Sequence, residues 1–420
     1  MLPLKGIKIL DFSLAMMAPL STAMLGDMGA EVIKVERIQG EEIRKGRAAG
    51  SDGMYSPEEL KKMRADDALI PDNPRWMVSN RNKKSIAIDV RKPEGKDIIM
   101  KLVKDVDVVL HNFRPGTMDK LGLGYKDMTV VNPKVIYCVV YGFGATGPLA
   151  HRIGGDLYAQ AMTGMVSQMG GGSVPPTNIP FFLIDHAGAM MTSYAIVLAL
   201  LHRQRTGEGQ EVSLNQTDVG MWLQASQLGE YLVNGKIDEK TGRGGQDVPN
   251  GTFQTRDGAI ATWFAAGAFW APFCKAIGLE DLVNDPRFEN DKVRRENMDE
   301  LYAILDPFFL TKTREEWQQI FRKAKLRVDP CLTYQELCAP HPQVVANEGI
   351  ATINHPIQGA MRVLGVPVKL SKTPGKPQSH PPLLGEHTKE IMTGLGYGAE
   401  EISRLEESKV IKSYQEEKEK

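Results

Sequence analysis

The sequence predicts an α/β protein built on a parallel sheet. Two observations carry that expectation. Over the first 150 residues, short β-branched runs alternate with segments of helical spacing. Strand–helix–strand order of this kind joins parallel strands through crossover helices. The chain has 420 residues with 42% hydrophobic side chains, enough for two domains or one large one with a real core.

Each element follows from local pattern. Gly6–Phe12 (GIKILDF) reads as the first strand, and Pro19–Gly29 has helical spacing that stops at a glycine. Glu31–Glu36 (EVIKVE) is the second strand, followed by a polar stretch from Gln39 to about Asn80. Ser85–Val90 is strand-like. Pro93–Val106 opens with Pro and Glu, good first-turn residues, and places Ile98, Ile99, Leu102, Val103 and Val106 on one face. Val108–Asn112 and Val135–Tyr141 are further hydrophobic strands. His186–Arg205 is a long helix ending at Thr206-Gly207. Its apolar run, Ala187 to Leu201, spans about 15 residues, short of the ~20 that cross a bilayer, so a buried helix is expected. A strand at Gln210–Leu214 and another helix come next.

Beyond about residue 230 the character changes. Thr252–Phe264 predicts a hairpin around Asp257-Gly258. Glu280 to Lys325 predicts charged, solvent-facing helices, and the proline-rich stretch Pro367–Pro382 a linker. From Glu386 the tail is helical and frays in Glu and Lys.

Charge excludes some functions. With 51 basic and 52 acidic side chains the formal net charge is −1, so neither nucleic acid nor an anionic membrane has a global electrostatic attraction to the chain. An anionic ligand must be held by local basic residues. The four cysteines, Cys138, Cys274, Cys331 and Cys338, form neither a disulfide framework nor a CxxC pair, and no metal site is expected. The start, MLPLKGIKILDFS, lacks the apolar core of a signal peptide, which makes the cytoplasm the expected compartment.

A dinucleotide fingerprint is the first motif to test. Gly142–Gly147 (GFGATG) matches GxGxxG after a strand, but Pro148 and a loop-like LAHRIGG follow where a helix N-terminus is required. A tight loop is the better reading. The histidines show no HExxH, and the GxSxG serine elbow is absent.

Asp185 is the stronger signal. From Leu157 to His202 it is the only formally charged residue, set between Phe181–Ile184 and a mostly apolar helix. A carboxylate in such surroundings is desolvated, which raises its pKa. A helix N-cap or a distant cation would account for it structurally, and a catalytic role chemically; the readings are compatible. Asp156 (GGDLYAQ), after two glycines, reads as an N-cap. Gly170-Gly171-Gly172 reads as a flexible loop able to approach a ligand.

Basic residues cluster at strand ends. Arg37 follows EVIKVE, Arg91 follows SIAIDV and Arg114 follows VVLHNF, with Lys83, Lys84, Lys120 and Arg152 in nearby loops. Open parallel sheets bind ligands beyond the carboxyl ends of their strands, and guanidinium suits phosphate. The set points to a phosphate-bearing ligand.

At these residues the chain resembles the class III CoA-transferases, the formyl-CoA:oxalate, carnitine and bile-acid CoA-transferase family (CaiB/BaiF type). The segments that carry the resemblance include LKGIKILDFS, APLSTAMLGDMGAEVIKVER, NRNKKSIAIDVRKPEGK, HNFRPGTMDKLGLGY, GGDLYAQAMTG, IDHAGAM and PPLLGEHTKEI. They run in family order over nearly the whole chain, most loosely from about 225 to 370. The resemblance implies a large Rossmann-like domain with a parallel sheet built from both chain ends, a smaller α/β domain, and an interlocked dimer. On that pattern, residues 1–225 begin the large coenzyme A domain, 226–350 form the small one, and 351–420 are a linker and a return to the large domain.

The resemblance also implies roles. Asp185 aligns with the family's catalytic aspartate. The coenzyme A contacts map onto Met16, Met17, Arg37, Ile88, Asp89, Val90, Arg91, Asn112, Phe113, Arg114, Lys120, Arg152 and Asp156. The implied reaction moves CoA from an acyl-CoA to a carboxylic acid through an aspartyl mixed anhydride and an aspartyl-CoA thioester. No cofactor is bound permanently; CoA thioesters are substrate and product. The α-methylacyl-CoA racemases share the fold but carry a histidine before the aspartate aligned with Asp156, where this chain has Gly155; His151 and His186 are the nearest histidines. That racemase reading and a catalytically silent acyl-CoA-binding subunit are the alternatives. The glycine lid of the oxalate-specific branch has only Gly242, Gly244 and Gly245 as counterparts, which argues against oxalate. Met16, Met17, Met162, Met165 and Met169 are candidates for an adaptable acyl pocket or for plain core.

Overall fold

Seven strands form one sheet in the computed structural model, which describes residues 1–44, 72–169, 175–237, 248–262 and 267–414. They are β1 (Lys8–Asp11), β2 (Glu31–Glu36), β3 (Lys83–Ile88), β4 (Val108–His111), β5 (Ile136–Tyr141), β6 (Glu211–Asn215) and a short C-terminal strand, Ile411–Lys412. Their spatial order is Ile411–Lys412, β3, β2, β1, β4, β5, β6, and every pairing is parallel except that of Ile411–Lys412 with β3. Strand order reverses between β1 and β4, so a crevice opens beyond their carboxyl ends. Strands β1 to β5 bury both faces, which explains why they read as continuous β-branched runs, whereas the edge strand β6 is only partly covered.

The helices that place the site are α1 (Met17–Asp27), α2 (Pro74–Asn80), α3 (Pro93–Val103), α4 (Asp156–Met162), α5 (Leu183–Thr206) and α6 (Gln216–Trp222). As expected, α3 turns Ile98, Ile99, Leu102 and Val103 onto the sheet core with Leu10, Ile33, Ile86 and Val109. The helix α2 lies inside the stretch that carried no readable period. Asn73 caps it by accepting the Arg75 N–H at 3.0 Å, and Trp76 and Met77 are buried. Lys83 and Lys84 belong to β3, not to a loop as expected.

One helix departs from expectation. On α5, Ile184, Ala187, Gly188, Ala189 and Ile196 are buried, and a Cβ on Gly188 would lie 2.2 Å from Met17 Cε, so α1 packs directly on this helix. Yet Met190, Tyr194, Val197, Leu198 and Leu201 on other faces are exposed. By length and composition α5 would suffice to cross a membrane; its packing on α1 makes it part of the sheet domain, where Ser193 Oγ donates to Ser21 O at 3.0 Å.

The chain divides into two compact units. The first comprises Met1–Thr163, Pro180–Leu223 and Pro342–Lys420, the second Gly164–Ile179 and Gln224–His341. These units divide at Leu223/Gln224 and His341/Pro342, and the second also takes Gly164–Ile179. Its antiparallel sheet holds the expected hairpin, Gly251–Thr255 with Gly258–Thr262, plus Val328–Pro330. The helices between Glu280 and Lys325 are amphipathic rather than wholly solvent-facing: Leu301, Leu305, Phe309, Trp317 and Phe321 fill the core. In the first unit, a hairpin of Ile350–His355 and Gly359–Leu364 precedes Pro367–Pro382, which carries neither helix nor strand. Gly170–Gly172 and Gly242, Gly244 and Gly245 lie outside the described residues.

Candidate active site

The loop after β1 forms one wall of the site. Asn112, just past β4, accepts the Leu14 N–H at 2.9 Å and donates to Leu14 O at 2.7 Å, pairing with the backbone as a strand would. Ala15 sits at φ 67°, a left-handed conformation that an alanine adopts at a cost. Glu41 accepts the Ala15 N–H at 3.2 Å and is itself held by Lys34 at 3.2 Å. Lys34 also donates to Ser13 O at 2.8 Å. Beneath the loop, Lys83 Nζ donates to Asp11 (2.8 Å), Pro19 O (2.8 Å) and Asn80 (2.9 Å), with Lys83 and Asp11 fully enclosed. Buried charges thus hold the backbone at Ser13, Ala15 and Pro19, on either side of Met16 and Met17.

The opposite wall is built on α5. Asp185 lies in the first turn of this helix, not at its N-cap, which is Phe182. Its main-chain N–H donates to Asp156 Oδ2 at 2.9 Å. Its Oδ1 accepts from Gln216 Nε2 at 2.6 Å. Gln216, the first residue of α6, also accepts the Gly155 N–H through Oε1 at 2.8 Å. Burial pushes the Asp185 carboxyl up to about 6, the Asp156 charge adds to this, and the Gln216 hydrogen bond opposes it.

Glycines make this arrangement possible. A Cβ on Gly142 would lie 2.5 Å from Gly154 Cα, and one on Gly154 would lie 2.7 Å from Gln216 Oε1. Gly142 opens the GxGxxG match. No helix follows Gly147 before α4 begins at Asp156, so this segment is a crossing loop and not a pyrophosphate cradle.

Between the walls lies a cavity of about 780 Å³. Leu14–Met17, Arg37, Glu41, Asn112–Arg114, Arg152, Gly154, Gly155, Asp185 and Gln216 are among its lining residues. A neighbouring cavity of about 490 Å³ is lined by Ile88–Arg91, Lys120, Arg37, Leu14 and Phe113. Leu14, Arg37 and Phe113 border both. Together the cavities present an apolar path with guanidinium groups along it; of the buried carboxylates in their walls, Glu36 and Glu41 are paired with Arg44 and Lys34, while Asp185 has no cation beside it among the described residues. Among the described residues no group of three or more His, Cys, Asp or Glu side chains is placed to hold a metal ion.

The sequence profile of CoA-transferase family III matches residues 4–388. The chain belongs to this family. It is a CoA-transferase, similar to a succinyl-CoA:glutarate CoA-transferase of Mus musculus, 31% identical over 99% of this chain and 92% of that one. It is likewise similar to the succinyl-CoA–D-citramalate CoA-transferase of Chloroflexus aurantiacus, 33% identical over 97% and 98%. Among solved structures, a CaiB/BaiF family protein from Brucella suis has a TM-score of 0.82 at 29% identity, covering 94% of this chain and 99% of that one. Rv3272 of Mycobacterium tuberculosis has a TM-score of 0.76 at 32% identity over 93% and 99%.

Against this family III background, most sequence-named residues gather around the two cavities. Met16, Met17, Arg37, Asn112, Phe113, Arg114, Arg152 and Asp185 line the larger; Ile88, Asp89, Val90, Arg91 and Lys120 line the smaller. Six need restating. Asp156 lines neither cavity: it is buried behind Asp185 and bonded to Gln160 and the Asp185 N–H. The Asn112 amide is occupied by Leu14. Arg91 folds back on Asp89 in a two-point pair, 2.8 Å on each side. Lys83 is enclosed with Asp11, and Lys84 pairs with Glu31 and Glu390, so neither offers its charge to a ligand. Met162 is exposed and lines neither cavity. Gln216, Glu41 and Ala15 were missed. A capping Asn215 before Gln216 marks a helix start, but nothing local says that Gln216 reaches back to Asp185.

Proposed function

We propose that Asp185 is the nucleophile that carries CoA transfer between an acyl-CoA and a carboxylic acid. The observation behind this reading is that Asp185 is desolvated and, among the described residues, paired with no cation, in the wall of a cavity lined by Arg37, Arg114 and Arg152, whereas the buried Glu41 of the same wall is neutralised by Lys34. Asp185 attacks the donor thioester carbonyl, giving a mixed anhydride and CoA thiolate. The thiolate attacks the aspartyl carbonyl, leaving an aspartyl-CoA thioester and the donor acid. The acceptor carboxylate reverses both steps and leaves as its own thioester. Splitting the exchange in this way replaces one difficult displacement by easier ones, and an enclosed site keeps water from the anhydride. Arg37 borders both cavities and suits the phosphates of CoA. The named substrates of the two transferases above support succinyl-CoA with a short dicarboxylic acid as the first pair to try.

A racemase would need a second acid–base group across from Asp185. The residue before Asp156 is Gly155, whose N–H is held by Gln216, so the structure favours transfer. The exposed apolar side chains on α5, with Trp222 and Leu157, support an interlocked dimer in which a second copy covers them.

The test is covalent trapping. The protein is incubated with a panel of acyl-CoAs including succinyl-CoA, quenched with hydroxylamine, and digested for peptide mass. Thioester-dependent modification at Asp185, lost in Asp185→Asn, supports the reading. Exchange of the α-proton for deuterium with no modification and no need for an acceptor acid would favour the racemase; CoA-ester binding with neither would favour a silent subunit.

A further inference from the structure

The Gln216 amide has one permitted orientation. Its Oε1 accepts the Gly155 N–H, so its NH2 faces Asp185. Turned over, the oxygen would meet a carboxylate and the NH2 an N–H, two repulsive contacts. The close crossing of Gly142 and Gly154 leaves the space in which this amide sits. Asp185 Oδ1 is therefore engaged by a neutral donor, while among the described residues Oδ2 has no hydrogen-bond partner.

We propose that Gln216 is a catalytic residue, the oxyanion donor for the bond changes that occur at the Asp185 carboxyl carbon. The proposal rests on Asp185 being the nucleophile. With Oδ1 held, Oδ2 attacks the donor thioester and becomes the bridging oxygen of the anhydride, and Oδ1 becomes the aspartyl carbonyl oxygen. When CoA thiolate attacks Cγ, an electron pair moves onto Oδ1 at the Nε2–H of Gln216. Collapse restores the carbonyl, breaks the Cγ–Oδ2 bond and releases the donor carboxylate with that oxygen. When the acceptor carboxylate attacks the aspartyl thioester, the pair returns to Oδ1 and collapse breaks the Cγ–S bond, freeing the thiolate. In the anhydride and the thioester Oδ1 is nearly neutral, and in each tetrahedral intermediate it carries a full charge. The Gln216 bond is thus strongest where the barrier lies, which is the requirement for acceleration.

The test uses Gln216→Met, which removes the donor at similar size, and Gln216→Glu, which keeps an acceptor for the Gly155 N–H. Each is mixed with the acyl-CoA that labels the wild type, without acceptor acid, and quenched with hydroxylamine over time. Loss of donor thioester and appearance of the aspartyl hydroxamate at Asp185 are followed separately. Removing one oxyanion donor slows the assisted step by roughly 100- to 1000-fold. The expected result is that loss in aspartyl thioester formation, with a smaller slowing of donor consumption and acyl-CoA affinity within about twofold of wild type. Taken as a ratio to the wild-type rate at each pH, which removes the acid limb of Asp185 itself, Gln216→Glu should recover as the pH falls and its carboxyl gains a proton to donate. Wild-type formation of the aspartyl thioester in Gln216→Met would overturn the proposal, as would a rate loss matched by an equal loss of affinity. Should the Met variant not fold, the pH recovery of Gln216→Glu decides: a flat profile overturns it. Absence of any Asp185 adduct in the wild type would instead overturn the nucleophile assignment.

Discussion

The Asp156 carboxylate accepts the main-chain N–H of Asp185 at 2.9 Å, so one buried acid anchors the helix turn that presents another. Asp156 serves the site twice. It fixes the position of the Asp185 backbone, and its charge makes ionisation of Asp185 harder.

That relationship sets a pH dependence. A nucleophilic carboxylate must be ionised, and the Asp185 carboxyl is pushed up to about 6, by burial first and then by Asp156. The acid limb of kcat/KM should therefore fall as pH drops through about 6, not near the ordinary carboxylate value of about 3.9. Asp156→Asn keeps an acceptor oxygen and removes the charge, so its limb should move to lower pH. Rate profiles of both proteins check this; a wild-type limb below pH 5 would contradict the desolvation argument.

The same shift affects stability. A carboxyl group whose folded pKa lies above its unfolded value costs stability once pH exceeds the unfolded value, because the unfolded chain ionises more readily. Asp185→Asn should therefore raise Tm by a few degrees at pH 8 and leave it nearly unchanged at pH 4. Calorimetry at the two pH values reads the difference, and an equal shift at both would show that packing, not ionisation, is responsible.

Gly154→Ala should impair transfer by displacing Gln216. The added methyl would sit 2.7 Å from Gln216 Oε1 and force that amide off Asp185. Turnover should fall by at least tenfold at unchanged acyl-CoA affinity, measured by steady-state kinetics and calorimetric titration. Ordinary turnover would mean that the loop relaxes at no cost.

Lys83→Met should destabilise the fold. It leaves Asp11 charged and enclosed, and breaking a buried pair by removing one partner costs about 3–5 kcal/mol. Burial alone would raise the Asp11 pKa; Lys83 and Lys34 overcome that and hold it at about 2. The stability Asp11 contributes is therefore complete above its unfolded pKa of about 3.9 and is lost as pH falls towards 2. Denaturant titration should find the variant penalty large at pH 7 and shrinking in acid.

Leu198→Asp should weaken self-association. Leu198 is exposed on an apolar face of α5, and a carboxylate there would resist burial against a second copy. Light scattering behind a sizing column should report a dimer for the wild type and a smaller species for the variant. An unchanged mass would place the contact elsewhere or remove it.

Much of the fold was legible because its signals are local. β-Branched runs, a proline and glutamate at a helix start and a terminal glycine lie within a few residues of what they specify, as at Glu31–Glu36 and Pro93–Val103. The helix α2 escaped notice because Trp76 and Met77 are too short an apolar signal in a polar context. The helices of the second unit were mistaken for solvent-facing ones because charge dominates their composition, while Trp317 and Phe321 bury the opposite side.

The sequence by itself determined the parallel α/β architecture, the arginines at the strand ends and the identity of the one carboxylate in an uncharged stretch. Each depends on composition within a short window. Only the tertiary structure decided the partnerships: Gln216 on Asp185 across 31 residues, Lys83 on Asp11 across 72, and Asn112 on Leu14 across 98. A hydrogen bond acts over about 3 Å. Which distant groups come that close is decided by how strand ends and crossing glycines converge, and no local pattern in the chain encodes it.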